Sequence, residues 1–153
     1  MRAAHTCMCQ VLTDGGPPDL LSLAHTNVAG NRKLYQQMTT IDARPLVWGP
    51  TAASHSNLDL LDLRFNLILA SDVTYWIGAH ADLCFTLHQL LSLSPQGLAV
   101  IAHEQRAVPD DRLERFREEA QDKGLSVDTL HTDLDGERTC IILEVALKDK
   151  SPN

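Results

Sequence analysis

The segment Phe65–Ala70 (FNLILA) constrains this chain more than any other, because its near-continuous hydrophobicity marks a strand covered on both faces, as in a parallel sheet. Parallel strands need long crossovers, usually helices, so helical and strand patterns should alternate along the rest of the chain. They do. Cys7–Leu12 (CMCQVL) reads as a strand ended by the breaker cluster Thr13-Asp14-Gly15-Gly16-Pro17-Pro18. From Asp19 to about Lys33, Leu20, Leu21, Leu23, Ala24 and Val28 make an apolar stripe at helical spacing, with Asp19 as its N-cap. Pro45–Trp48 is a second short strand, closed by Gly49-Pro50, and the small and polar residues on to Ser56 predict a loop. His80–Leu93 is a helix, Ser94-Pro95-Gln96-Gly97 a turn, and Leu98–Ala102 a strand. Asp110–Lys123 is a charged amphipathic helix stopped by Gly124, and its alternating charges suit a solvated face. Leu125–Leu130 and Thr139–Leu147 are closing strands joined through Asp133-Leu134-Asp135-Gly136. Two final strands without an intervening helix imply an open α/β sheet whose last pair is antiparallel.

At 153 residues the chain supports one domain, taken here as residues 1–153. With 44 % hydrophobic and 22 % charged residues it has neither the composition of a disordered chain nor that of a fibrous one. A net charge of −7 argues against a phosphate-backbone grip, so no nucleic-acid partner is expected. No apolar run reaches the ~20 residues of a membrane-spanning helix, and no secretory signal opens the sequence, so a cytoplasmic protein, with the nucleus as a further compartment left open, is expected. The cysteines Cys7, Cys9, Cys84 and Cys140 are too few for a disulfide scaffold, and no histidine joins them at metal-ligand spacing, so no metal is expected. A G-x-S-x-G elbow and a phosphate-binding loop are both absent, which removes hydrolase and nucleotide-loop chemistry.

In open parallel sheets ligands bind beyond the carboxyl ends of the strands. Asp14 ends the first strand, where a carboxylate can accept hydrogen bonds from a ribose diol; its plainer role is to form the turn before Gly15-Gly16. Trp48 ends the second and can lie along an adenine ring or simply fill space. Asp72 and Tyr75 follow the third, where an Asp is equally suited to cap a helix. Glu104-Gln105-Arg106 either borders a substrate groove or is a polar loop.

Read together, VLTDG, a helix carrying Asn27 and Asn31, LVWGP, FNLILASDVTY and LSPQGLAVIA resemble the S-adenosylmethionine-dependent methyltransferases that modify lysines of non-histone proteins. The resemblance runs from about Val11 to Val145, and FNLILASDVTY, with its D-x-x-Y motif, is its sharpest part. It implies a Rossmann-like, mostly parallel sheet with helices on both faces. It also implies S-adenosylmethionine as cofactor and a protein substrate, while leaving the oligomeric state open. In that family's terms Asp14 binds the ribose hydroxyls, Trp48 contacts the adenine side, Ala70 lines the cofactor by its backbone, and Asp72 and Tyr75 face the acceptor lysine. Deprotonating a lysine of pKa near 10.4 at pH 7 costs about 4–5 kcal/mol, and a nearby carboxylate adds to that cost. Asp72 is therefore an anchor and orienter, and the proton leaves to water.

The chain departs from the family at its start. The family opens with a strand and a glycine-rich turn, whereas Met1–Thr6 is too short for both and has no glycine. The missing strand would lie between those ending at Asp14 and Ala70, so the chain reads as an N-terminally truncated domain. Either these two strands pair directly or the sheet stays split, and each damages the cofactor pocket. A non-catalytic remnant, or an interaction module whose sheet another chain completes, is the rival reading. Arginine, histidine and small-molecule acceptors also stay open.

Overall fold

The computed structural model describes residues 8–34, 39–50, 60, 63–105, 110–135 and 138–148. In chain order these form β1 (Met8–Asp14), α1 (Pro18–Gly30), β2 (Thr39–Pro45), β3 (Leu67–Ser71), α2 (His80–Ser92), β4 (Leu98–Gln105), α3 (Arg112–Asp122), β5 (Leu125–Asp135) and β6 (Arg138–Leu147). Short 3-10 turns cover Arg32–Leu34 and Ile77–Ala79. β1 pairs in parallel with β2, and β3 in parallel with β4. β6 is antiparallel to both β4 and β5, as expected for the closing pair.

The strands divide into a two-stranded sheet, β1-β2, and a four-stranded sheet in the order β3-β4-β6-β5. Of the two arrangements foreseen for the strands ending at Asp14 and Ala70, the split sheet is the one adopted. Among the described residues, β1 and β3 each keep one edge without a strand neighbour.

One apolar core holds the larger sheet. Leu83, Cys84, Leu87 and Leu91 of α2 and Phe116 and Ala120 of α3 meet Ala99, Ile101, Leu125, Leu143 and Val145 of the strands. The registers explain the match. Ala99 lies opposite Val145 and Ile101 opposite Leu143, so alternate residues of paired strands bring one face under both helices. Gly124 ends α3 with φ +77, a left-handed conformation that glycine adopts without cost, and its carbonyl accepts from Lys148 N–H at 2.9 Å.

Several sequence expectations shift. FNLILA was expected to be covered on both faces, yet β3 alternates. Ile68 and Ala70 pack on the core, whereas Leu67 and Leu69 are 52 % and 72 % exposed, because α2 and α3 lie on a single side of this sheet. The second strand is Thr39–Pro45 rather than Pro45–Trp48. Its sequence TTIDARP mixes the strand formers Thr39, Thr40 and Ile41 with Asp42, Ala43 and Pro45, which strands disfavour, and it is held by register with β1, from Met8–Thr39 to Asp14–Pro45. α1 starts one residue before Asp19, with Pro18 in its first turn and Pro17 at the cap, where a missing N–H is harmless. Glu104 and Gln105 belong to β4, paired with Cys140 and Thr139, so they are not a loop. The expected loop up to Ser56 is outside the described residues apart from Gly49 and Pro50, as are Arg106, Cys7, His5 and His55.

Candidate functional site

Asp14 lies at the carboxyl end of β1. Its Oδ1 accepts from Gly16 N–H at 2.7 Å, the turn-forming contact expected of an Asp two residues before the donor. The side chain stays exposed. The turn is tied to β2 by Leu46 N–H, which donates to the Asp14 carbonyl at 3.0 Å. Gly15 is required at this crossing, since a Cβ there would stand 2.6 Å from the Leu46 carbonyl oxygen.

Trp48 follows two residues later. It is half-buried and packs against the core, so part of its indole is already committed to filling space. Gly49 N–H donates to Thr86 Oγ1 of α2 at 2.9 Å, and that hydroxyl donates to the Asp82 carbonyl at 2.9 Å. LVWGP is therefore a connection fixed to the second turn of α2.

Ala70 lies within β3 opposite Ile101 and packs on the core. Beyond the strand, Asp72 has φ +55, the sole non-glycine positive φ among the described residues. Its N–H donates to the Ala102 carbonyl of β4 at 2.9 Å. Val73 packs on the core. Thr74 is fully buried; its Oγ1 is 2.7 Å from His103 Nδ1, and its carbonyl accepts from His80 Nε2 at 3.0 Å. Tyr75 then projects outward, 56 % exposed, beside the exposed Trp76.

Thus the structure gathers Asp14 and Trp48 about the linked ends of β1 and β2, and Asp72 and Tyr75 about the end of β3. Both groups are tied to α2: Thr74 to its first residue, His80, and Gly49 to Thr86.

Beneath the motif lie polar residues that metal-ligand spacing among the histidines does not reveal. His103 is 2 % exposed and shares its face of β4 with Ala99 and Ile101, and this two-residue spacing was the available signal. Its Nε2 stands 4.0 Å from Asp110 Oδ2, and that carboxylate binds Arg112 through Nε at 2.7 Å and also through Nη2. Burial pulls the His103 imidazole below its ordinary pKa, with Asp110 partly opposing. His80, also fully buried, meets the Phe116 ring edge-on at 5.6 Å.

Neighbouring thiol chemistry is suppressed: burial pushes Cys84 up to about 12. No group of three or more possible metal ligands occurs among the described residues. None of the described helices is long and apolar enough to cross a membrane.

The family model described as lysine methyltransferase matches residues 2–122. A calmodulin-lysine N-methyltransferase of Arabidopsis thaliana is 29 % identical over 123 residues, which is 80 % of this chain but 38 % of that protein. Among solved structures, a methyltransferase from Pyrococcus furiosus superposes with a TM-score of 0.55 at 13 % identity, over 88 % of this chain and 61 % of that one. A pericyclic reaction enzyme gives 0.52 at 12 % identity, over 91 % and 36 %. Similarity this remote in sequence speaks for the fold, a Rossmann-like α/β arrangement.

Proposed function

Since the chain belongs to the lysine methyltransferase family, we propose that it contributes to S-adenosylmethionine-dependent methylation of a protein lysine, with Asp14 and Trp48 on the cofactor side and Asp72 and Tyr75 on the acceptor side. The observation that carries this reading is the common anchorage of both segments on α2, through Gly49 to Thr86 and through Thr74 to His80.

The residues suit the adenosine end of the cofactor. Asp14 uses Oδ1 within its turn yet remains exposed, and a carboxylate can accept several hydrogen bonds, as two ribose hydroxyls require. Trp48 offers the aromatic surface that the core does not cover, and Ala70 offers backbone. When bound, S-adenosylmethionine supplies an electrophilic methyl group on a sulfonium. The chain's own part is positioning. Asp72 orients the incoming lysine, Tyr75 borders it from an exposed position, and the ammonium proton passes to water before the nitrogen attacks.

The split sheet favours the rival reading, a catalytically inactive remnant or interaction module, because among the described residues β1 and β3 keep an edge without a strand neighbour and Leu67 and Leu69 stay exposed. Two measurements separate the readings. Titration of the folded chain with S-adenosylhomocysteine by calorimetry is expected to give a saturable signal. Incubation with S-adenosylmethionine and calmodulin, the acceptor in the Arabidopsis relative's name, is expected to transfer methyl groups to lysine, as read by mass spectrometry. A flat titration on folded protein would leave the remnant as the answer.

A further inference from the structure

We propose that Thr74 and His103 are positioning residues that clamp the Asp72–Tyr75 loop onto β4, with Thr74 O–H donating to His103 Nδ1 and the imidazole proton held on Nε2 toward Asp110. The inference rests on the assignment of Asp72 and Tyr75 to the acceptor side.

The loop is held at each residue before Tyr75. Asp72 N–H is bound to Ala102, Val73 is packed on the core, and Thr74 is held at both its hydroxyl and its carbonyl. A non-glycine residue at φ +55 persists where its surroundings over-determine it. The two attachments to β4 fall on successive residues: Ala102 receives the Asp72 amide and His103 faces the Thr74 hydroxyl. Slippage of Asp72 would therefore also break the Thr74 contact, whose donor and acceptor are both cut off from water.

The donor directions follow from the neighbours. The Thr74 carbonyl can only accept, so His80 donates from Nε2. At His103, the Asp110 carboxylate 4.0 Å from Nε2 favours the proton on that nitrogen, leaving Nδ1 to accept from Thr74. Asp110 is itself fixed by Arg112 at the start of α3, so the clamp reaches from the loop through β4 to the next helix. Its product is the outward placement of Tyr75 beside a fixed Asp72, as an orienting site requires.

The test uses the whole chain and the variants Thr74→Val, Thr74→Ser and His103→Gln. Nitrogen NMR of the wild-type histidines is expected to show His103 neutral, with its proton on Nε2, at pH 7.5. Hydrogen exchange at the Asp72 amide is expected to be roughly tenfold faster in Thr74→Val and His103→Gln, with protection in the β4–β6 pairing unchanged, and close to wild type in Thr74→Ser. With S-adenosylmethionine and calmodulin, Thr74→Val should lower kcat roughly tenfold at unchanged KM for S-adenosylmethionine, and Thr74→Ser should restore it. A proton on His103 Nδ1, or Asp72 exchange indifferent to the loss of the hydroxyl, overturns the clamp. Should Thr74→Val fail to fold, the wild-type tautomer and Thr74→Ser against His103→Gln decide it. If the wild-type chain transfers no methyl group, the functional assignment fails, while the NMR and exchange results still judge the clamp.

Discussion

Gly49 lies directly against Asp82. A Cβ at position 49 would stand 2.6 Å from Asp82 Oδ1 and 2.8 Å from its Cγ, and the Gly49 backbone has φ +103, which L side chains rarely adopt. The same glycine donates its N–H to Thr86, so it is the point at which LVWGP is locked to α2. Gly49→Ala is expected to lower stability by about 1–3 kcal/mol, chiefly through backbone strain, since the Asp82 carboxylate can swing aside. Urea unfolding measures this, and an unchanged midpoint would show that the connection relaxes freely.

Asp14→Ala separates the turn-forming role from the proposed ribose contact. Loss of one exposed side chain-to-backbone hydrogen bond, to Gly16, should cost about 0.5–1.5 kcal/mol of stability. Loss of a ribose anchor should weaken S-adenosylhomocysteine binding at least roughly tenfold, since hydrogen bonds to a charged group contribute about 1.5–3 kcal/mol. Calorimetry and thermal melting on the same preparation read the two effects. A change in melting with unchanged affinity would assign Asp14 to the turn alone.

Replacing Asp72 by Ala, or Tyr75 by Phe, is expected to slow methyl transfer at saturating cofactor while leaving cofactor affinity near its original value. Asp72→Asn is the informative companion, because Asn tolerates the left-handed backbone and preserves the loop while removing the charge. If all three substitutions left the rate untouched, the acceptor-side assignment would be wrong.

The buried His103 sets a pH window. Its imidazole lies below the ordinary 6.5 in the folded chain because burial disfavours the charged form, while Asp110 and Asp72 pull upward and Arg112 and His80 pull downward. Above pH 6.5 neither folded nor unfolded chain carries this proton, so its contribution to stability is complete. As pH falls below 6.5 the unfolded chain takes up the proton first, and stability declines until the folded imidazole also titrates. The melting temperature should therefore start to drop just below pH 6.5, and His103→Gln should flatten that drop. Asp42, whose carboxyl is held below 3.8 chiefly by its hydrogen bond from Arg44, acts in a separate, more acidic window.

The sequence by itself determined the order of strands and helices, though not the bounds of β2, because apolar spacing and terminators are local signals. The hydrophobic run before SDVTY produced β3, the leucines of 80–93 produced α2, and Gly124 supplied the left-handed stop after α3. It also placed Asp14 and Asp72 just where strands end, which is the part of the candidate site that a linear pattern can reveal.

Tertiary structure alone decided the rest. TTIDARP is a strand only because β1 offers it a partner in register, and the neighbouring LVWGP becomes a fixed connection because α2 receives Gly49 at Thr86, 37 residues away. Thr74 meets His103 across 29 residues, and nothing local to either residue encodes that pairing. Whether the Asp14 and Ala70 strands would join or stay apart was equally undetermined, since strand pairing depends on which edges the folded chain brings together. Local pattern fixes what each segment becomes; contacts between distant segments fix which side chains share a site.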